Sequence, residues 1–550
     1  MLISTREELE KKVLPLLISS KKAIVIDTET NITSFQEERY CMGIALCIDN
    51  ECFYIPTYHN DWGKGNIKTV DTVGMFDNIA NVPVIFHNAK FDIPVLAKIG
   101  LQVPKNQVYD TMLMAHLINE DQRSFELDDL VRVHLGIRKD VKLAAAMKQF
   151  KWEHVPAYIF EKYAIQDAQI TYNLYWYLKN HFEPYEKVWE VDREFMYLLM
   201  DMEQEGVRLN RDKVKMSLAE NEIWIENFKK KLGFDPGKQK ELQKYFFETL
   251  GLKPLTLTPK KLEPQINTNF LEKTDTPETR AFREFKEIQK RVTSYYRPYL
   301  RLAPNGRFHP SFKQHGTVTG RLSCAEPNMQ QIPRDSDIKG FFLPENGCEL
   351  WEIDYRTLEL RLAAVYSQQQ NLLNTFKVDG DVHQLTANLL SVDRQKGKMI
   401  NFAMTYGAGK NAIAYQLDCS IDEAASIIFD YRKSYPKLFE KAYEAKLSAE
   451  ANGNKIKMWS GRHRHFYFAG DTHKAFNAII QGGGFEIVKL SMLKLKQAGF
   501  NMKNQVHDSV WLSIPVGEID VKIKEAERLM SDWTEDLFGL RFSVESKRLA

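Results

Sequence analysis

Asp354 stands where an apolar run, Leu350-Trp351-Glu352-Ile353, gives way to residues that recur at helical spacing, Leu358, Leu362 and Val365. The run reads as a short buried strand and the stretch after it as a helix. The chain must therefore fold with an ionised carboxylate at the mouth of an apolar element, which is costly unless the group is paired or holds a cation. An aspartate that caps the helix start is the other common use of this residue here. Taken alone, the stretch leaves both uses open.

At 550 residues the chain is too long for one core, and two to four domains are expected. Lysine and arginine (75) nearly balance aspartate and glutamate (73), so the net charge of +2 carries no global nucleic-acid signature. Any such binding has to come from local basic surfaces. The six cysteines form no CxxC pair, and Cys41, Cys47 and Cys52 lack zinc-ligand spacing. They read as reduced thiols of an intracellular protein. No apolar run reaches transmembrane length. Glu7, Glu8 and Glu10 lead straight into a core strand, so neither a signal nor a transit peptide is expected.

Near the N-terminus, Ala23-Ile24-Val25-Ile26-Asp27-Thr28-Glu29 reads as another buried strand. Asp27 and Glu29 are two apart and project from one face. Two acids on one face repel, and a shared divalent cation relieves the repulsion as well as a solvated strand end would. Asp92 follows within His87-Asn88-Ala89-Lys90-Phe91-Asp92, and Tyr163 and Asp167 lie four apart on one helical face. In order and separation this set resembles the proofreading 3′–5′ exonucleases that use four acidic residues and a tyrosine. The resemblance implies an RNase H-like domain over residues 1–182. Asp27, Glu29, Asp92 and Asp167 would hold two Mg2+ ions there, and Tyr163 would orient the attacking water. Tyr109-Asp110 and Leu127-Asp128-Asp129-Leu130 resemble intervening segments of that family, with Asp110 in a structural role.

Lysine-rich helical patterns run through 229–231, 238–244 and 286–291, and 251–277 reads as a loop. Residues 288–295, Ile-Gln-Lys-Arg-Val-Thr-Ser-Tyr, resemble the end of the thumb helices of family A DNA polymerases. That likeness implies that Lys290 and Arg291 meet duplex phosphates.

Further on, Arg394, Lys398, Phe402 and Tyr406 recur every four residues, a spacing that drifts only about 40° per step on a helix. Two cations at one end and two aromatics at the other suit a nucleotide lying along the helix. An amphipathic helix with a basic end is the plainer alternative. Gly407 and Gly409 would end it. In Gln505-Val506-His507-Asp508-Ser509-Val510, alternation places Val506, Asp508, Val510 and Leu512 on one face, and Asp508 interrupts the apolar row.

These segments are also similar to motifs of family A polymerases. Thr319-Gly320-Arg321-Leu322-Ser323 and Pro327-Asn328-Met329-Gln330-Gln331-Ile332-Pro333 match the stretch before the catalytic palm. Residues 354–361, Asp-Tyr-Arg-Thr-Leu-Glu-Leu-Arg, match the first palm motif and depart from it at Arg356, Thr357 and Leu358. The Arg-Lys-Phe-Tyr series matches the nucleotide-binding helix at every defining position. Asp508 matches the second palm aspartate, but Ser509 stands where the family usually has glutamate. An auxiliary third carboxylate is therefore in doubt, and the two-aspartate metal site is not.

The resemblance implies a multidomain α/β and α+β protein, with an RNase H-like exonuclease domain followed by a right-hand polymerase domain at 183–550. The thumb is expected at about 206–310, the palm at about 183–205, 311–369 and 481–550, and the fingers at about 370–480. Asp354, Asp508 and the Tyr355 carbonyl would hold two Mg2+ ions, with Mn2+ as an alternative. Arg394, Lys398, Phe402, Tyr406, His383, Glu359 and Tyr355 would contact the incoming nucleotide, with Glu359 as a gate against a ribose 2′-hydroxyl. Arg321, Asn328, Gln330, Asn477, Gln481, His507 and Lys290 would contact DNA, reading acceptors common to all base pairs. The implied activity is template-directed addition of dNTPs to a primer 3′ end, with 3′–5′ proofreading and without a 5′-nuclease. The chain is expected to be a cytoplasmic monomer, in the host cytoplasm if phage-encoded. Primer-template DNA is its expected partner, with helicase, primase or single-strand binding protein as candidates. Its compact length suggests a phage replicative enzyme. A repair or gap-filling polymerase, an exonuclease with a degenerate polymerase half, and a non-catalytic scaffold are the alternatives.

Overall fold

The computed structural model describes residues 1–31, 40–59, 69–138, 155–258, 262–333, 337–405 and 407–550. Tyr406 lies outside them. None of the described helices is long and apolar enough to cross a membrane.

The first core forms around a five-stranded sheet with strand order β3-β2-β1-β4-β5. Its strands are β1 (Ile24–Thr30), β2 (Cys41–Ile48), β3 (Glu51–Pro56), β4 (Val84–Phe86) and β5 (Val108–Asp110). β2 runs antiparallel to β1 and β3, whereas β4 is parallel to β1 and β5. The parallel pair β4 and β5 needs a crossover, and a helix supplies it. Asn88 adopts a left-handed backbone (φ 75), which its short polar side chain tolerates, and so turns β4 into α1 (Ala89–Lys98). Asp110 ends β5 and caps α2 (Thr111–Ile118), accepting from the Met112 and Leu113 amides. It also accepts from the Asn88 and Ala89 amides, so its role is to tie two helix starts together, as expected of a structural residue. The long α3 (Ala157–Lys179) packs against β1, β2 and β3.

The cysteines depart from expectation. Cys47 and Cys52 face each other across β2 and β3 and are joined by a disulfide, so these two are not reduced thiols.

α4 (Glu186–Glu205) belongs to two cores at once. Trp189, Met196, Tyr197 and Met200 enter the first, while Phe195, Leu198, Leu199 and Met202 enter the second. Beyond it, α5 (Arg211–Leu232) and α6 (Pro277–Arg291) carry a satellite core of their own. There Trp224 stacks on Phe228 and Phe228 on Phe285, at centroid distances of 5.2 and 5.1 Å. Such pairs add about 1 kcal/mol each beyond their burial. The stretch expected as a loop at 251–277 contains a short helix, Thr268–Thr274, because Asn267 caps it and Phe270 and Leu271 anchor it in this core.

The second large core is built on an antiparallel sheet of β6 (Cys348–Tyr355), β7 (Asn501–Val506), β8 (Ser509–Pro515) and β9 (Val544–Arg548), in the order β7-β8-β6-β9. α7 (Leu358–Ser367) leaves the end of β6. α8 (Val382–Leu390) and α9 (Arg394–Thr405) lie side by side, since a Cβ on Gly397 would come within 2.5 Å of the His383 carbonyl oxygen. α10 (Ala475–Gln497) and α11 (Ile519–Phe538) pack on each other and on this core.

Candidate active sites

The sheet of the first core delivers its acids to one end. Asp27 and Glu29 lie on β1, Asp92 in the first turn of α1, and Tyr163 and Asp167 on successive turns of α3. Glu29, Asp92 and Asp167 are almost fully buried. Thr28, between the two β1 acids, donates both its amide (2.8 Å) and its hydroxyl (2.7 Å) to Asp92. Even so, burial pushes the Asp92 carboxyl up to about 7, and the Asp110 charge adds to the effect. The Tyr163 phenol lies well above its ordinary range, through burial first and then the charges of Asp167, Glu29 and Asp27. It therefore stays protonated, and the three acids that act on it share its surroundings. Among the described residues no three acidic, histidine or cysteine side chains form a closed ligand set. The donor set is nevertheless all carboxylate, half-buried or buried, and of one sign, which suits a hard divalent cation.

In the second core Asp354 pairs across the strands with Ser509, and the Tyr355 amide donates to the Asp508 carbonyl at 3.3 Å. The backbone thus brings the two aspartates together at one end of these strands. Asp354 does not cap α7. That position is Thr357, in a left-handed backbone at φ 53. Asp508 corrects the expectation of an alternating row, because it lies in the two-residue turn between β7 and β8, where His507 has φ 53. Val506, Val510 and Leu512 are all buried, but the turn pairs Val506 with Ser509 and so puts it on the other face from Val510 and Leu512, and Asp508 is only partly buried. Tyr355 is corrected too. Its side chain is buried and its hydroxyl donates to the Met530 carbonyl, so only its backbone can face a nucleotide or an ion.

Glu359, in the first turn of α7, accepts from Arg321, whose guanidinium also lies 4.0 Å from Asp508. Arg361 points away from the aspartates. Buried, it donates to Asp379 at 2.6 Å and to the carbonyls of Arg356 and Arg541, clamping the strand-to-helix turn.

α9 presents Lys398 and Phe402 to a cavity of about 400 Å³ that Gln395, Met399 and Gln416 help to line. Phe402 is 39% exposed and lies 5.8 Å from the His383 ring. His383 is buried against Asn401 at 3.1 Å, and burial lowers its pKa, so it is neutral near pH 7. At the helix start Arg394 pairs with Asp381 at 2.6 Å.

Of the expected DNA-contacting residues, Gln330 and His507 are joined through Gln505, which accepts from Gln330 at 2.9 Å and donates to the His507 carbonyl. Asn328 is exposed beside them. Asn477 and Gln481 lie on successive turns of α10. A Cβ on the neighbouring Gly482 would come within 2.9 Å of the Thr319 carbonyl oxygen, so this face of α10 abuts the Arg321 loop. Lys290 is exposed at the end of α6, and no described contact joins it to this group.

Sequence reasoning missed the charges that fasten the two halves. Asp192 of α4 binds Arg462 and Lys489, at 2.5 and 2.6 Å, and both cations also meet Glu486. Glu120 of the first unit takes Arg464 and His465, and Lys90, beside Asp92 on α1, pairs with Glu203. These partners lie up to 345 residues apart, and only their charge hints at them.

The profile of DNA polymerase family A matches residues 206–547, and that of a 3′-5′ exonuclease matches residues 1–183. DNA polymerase I of Treponema pallidum is 29% identical over 512 residues, covering 85% of this chain and 51% of the relative. DNA polymerase I of Borreliella burgdorferi is 27% identical, covering 99% of this chain and 64% of the relative. The chain thus spans about half to two-thirds of the length of these relatives. In fold it is similar to the POL domain of Pol1 from M. smegmatis in complex with DNA primer-template and dNTP, with a TM-score of 0.79 at 21% identity over 97% of this chain and 96% of that one.

Proposed function

The chain belongs to DNA polymerase family A, with a 3′-5′ exonuclease module ahead of the polymerase part, and on that premise we propose that it extends a primer by template-directed addition of dNTPs and trims mispaired 3′ ends. The observation that carries the reading is that the backbone brings Asp354 and Asp508 together at one end of the strands, with the Arg321–Glu359 pair beside Asp508.

Asp354, Asp508 and the Tyr355 carbonyl would hold Mg2+, or Mn2+ in its place. Two such ions, when bound, would supply the charge stabilisation that phosphoryl transfer requires. The chain's own groups do the rest. Lys398 and Arg394, the latter exchanging Asp381 for the ligand, neutralise the triphosphate. Phe402 offers a flat apolar face to sugar and base, with neutral His383 behind it. Glu359 fills the space beside the sugar and disfavours a 2′-hydroxyl. Arg321, Asn328, Gln330, Asn477, Gln481 and His507 contact the primer-template minor groove, and Lys290 a phosphate of the duplex.

At the other site Asp27, Glu29, Asp92 and Asp167 would hold the same kind of ion. Tyr163, kept protonated, donates its hydroxyl hydrogen and orients the water that attacks the terminal phosphodiester. The thumb at about 206–310, the fingers at about 370–480 and the remaining palm would enclose the duplex of a monomer acting where DNA is replicated. A phage replicative role alongside helicase, primase and single-strand binding protein is part of the same proposal.

Single-nucleotide addition on templates that differ only in the first unpaired base tests the reading. Addition of the complementary dNTP alone supports it, and addition independent of the template base overturns it.

A further inference from the structure

Glu352 lies two residues before Asp354 on β6, so the two side chains leave the same face of the strand. Across from them on β8, Ser509 pairs with Asp354 and Trp511 with Glu352. The Glu352 carboxylate reaches diagonally to Ser509, whose hydroxyl donates to it at 3.0 Å. The same oxygen accepts the Trp511 indole N–H at 3.2 Å. Lys339 closes the row, 2.9 Å from the other oxygen. Ser509, Trp511 and Lys339 together partner the carboxylate, and the lysine balances its charge.

A short side chain at 509 is what makes room for this carboxylate. We propose that Glu352 supplies, from the neighbouring strand, the third carboxylate that position 509 lacks, and that it positions the ion held by Asp354 and Asp508 by accepting from that ion's bound water. The inference rests on the polymerase reading above. A glutamate at 509 would set a second carboxylate against Glu352 with one lysine to balance both, so the two positions should tolerate one acid between them, on either strand.

The test uses the full chain carrying Asp27→Ala and Glu29→Ala, which removes the other ion site, bound to a dideoxy-terminated primer-template with the matching dNTP. Mn2+ binding is read by electron paramagnetic resonance and folding by thermal melting. Glu352→Gln keeps the acceptor toward Ser509 and Trp511 and should weaken Mn2+ binding about tenfold. Ser509→Glu alone should also weaken it about tenfold, and Ser509→Glu with Glu352→Gln should recover most of that loss. A Glu352→Gln protein that melts lower but binds Mn2+ as the parent does would overturn the inference and leave a structural clamp. A double variant no better than the worse single would overturn it as well. If the unsubstituted chain neither extends primers nor binds Mn2+, the polymerase reading itself fails and this inference goes with it.

Discussion

Arg321 and Glu359 form an ion pair at the start of α7, and the same guanidinium lies 4.0 Å from Asp508. The pair fixes one oxygen of Glu359. Its second carboxylate oxygen is buried with no hydrogen-bond partner among the described residues. A rigid, buried acid beside the aspartates is the arrangement a sugar gate needs, because a neighbouring cation prevents it from swinging aside. Glu359→Ala should therefore raise ribonucleotide incorporation relative to deoxyribonucleotide about tenfold or more, read from the ratio of kcat/KM values. An unchanged ratio would remove Glu359 from that role.

The buried Asp92 makes a pH signature. Its folded value near 7 lies above the unfolded aspartate value of about 4, so over that interval the folded chain binds a proton that the unfolded chain does not. The stability this contributes is present at acid pH and lost as pH rises through about 7. In EDTA, the melting temperature of the wild type relative to Asp92→Asn should fall between about pH 5 and about pH 8. A difference that is flat or grows with pH would contradict the buried placement.

The Asp192–Arg462–Glu486–Lys489 cluster should behave as a fastener. Its members are all 5% exposed or less, and Asp192 is held down at about 2 by the two cations despite its burial. Asp192→Asn leaves two buried cations with one acid and should cost about 3 kcal/mol in chemical denaturation. A loss below about 1 kcal/mol would mean that water reaches the cluster and screens it.

Phe402 lines the cavity beside α9 and is partly open to solvent. On the proposed placement against the sugar, its apolar ring offers no hydrogen bond in place of a missing 3′-hydroxyl, which biases the site against dideoxynucleotides. Phe402→Tyr should relax that bias in competition assays, and an unchanged discrimination ratio would remove the residue from the sugar site.

The acids proposed as metal ligands stand out in the sequence because each breaks a local rule. Asp27, Asp354 and Asp508 interrupt or end apolar runs, and Tyr163 and Asp167 share a helical face, features that short windows of sequence display. Asp110 was legible as structural, and its four backbone donors explain why. What was hidden depends on long-range packing. The turn at His507 and Asp508 falls inside a run that alternates like one strand. The buried hydroxyl of Tyr355 is claimed by Met530, far along the chain, and Cys47 meets Cys52 only once β2 and β3 take their register. Glu352 looked like an ordinary strand residue because its partners come from two distant segments, Lys339 ahead of β6 and Ser509 and Trp511 on β8.

Two separate phosphoryl-transfer sites on one chain should be separable with a 5′-labelled primer on a longer template. With Mg2+, the wild type should extend the primer when dNTPs are present and trim it when they are absent. Asp354→Ala should lose extension alone, and Asp27→Ala with Glu29→Ala should lose trimming alone. Loss of both activities in either variant, or trimming without extension by the wild type under every condition, would contradict the account.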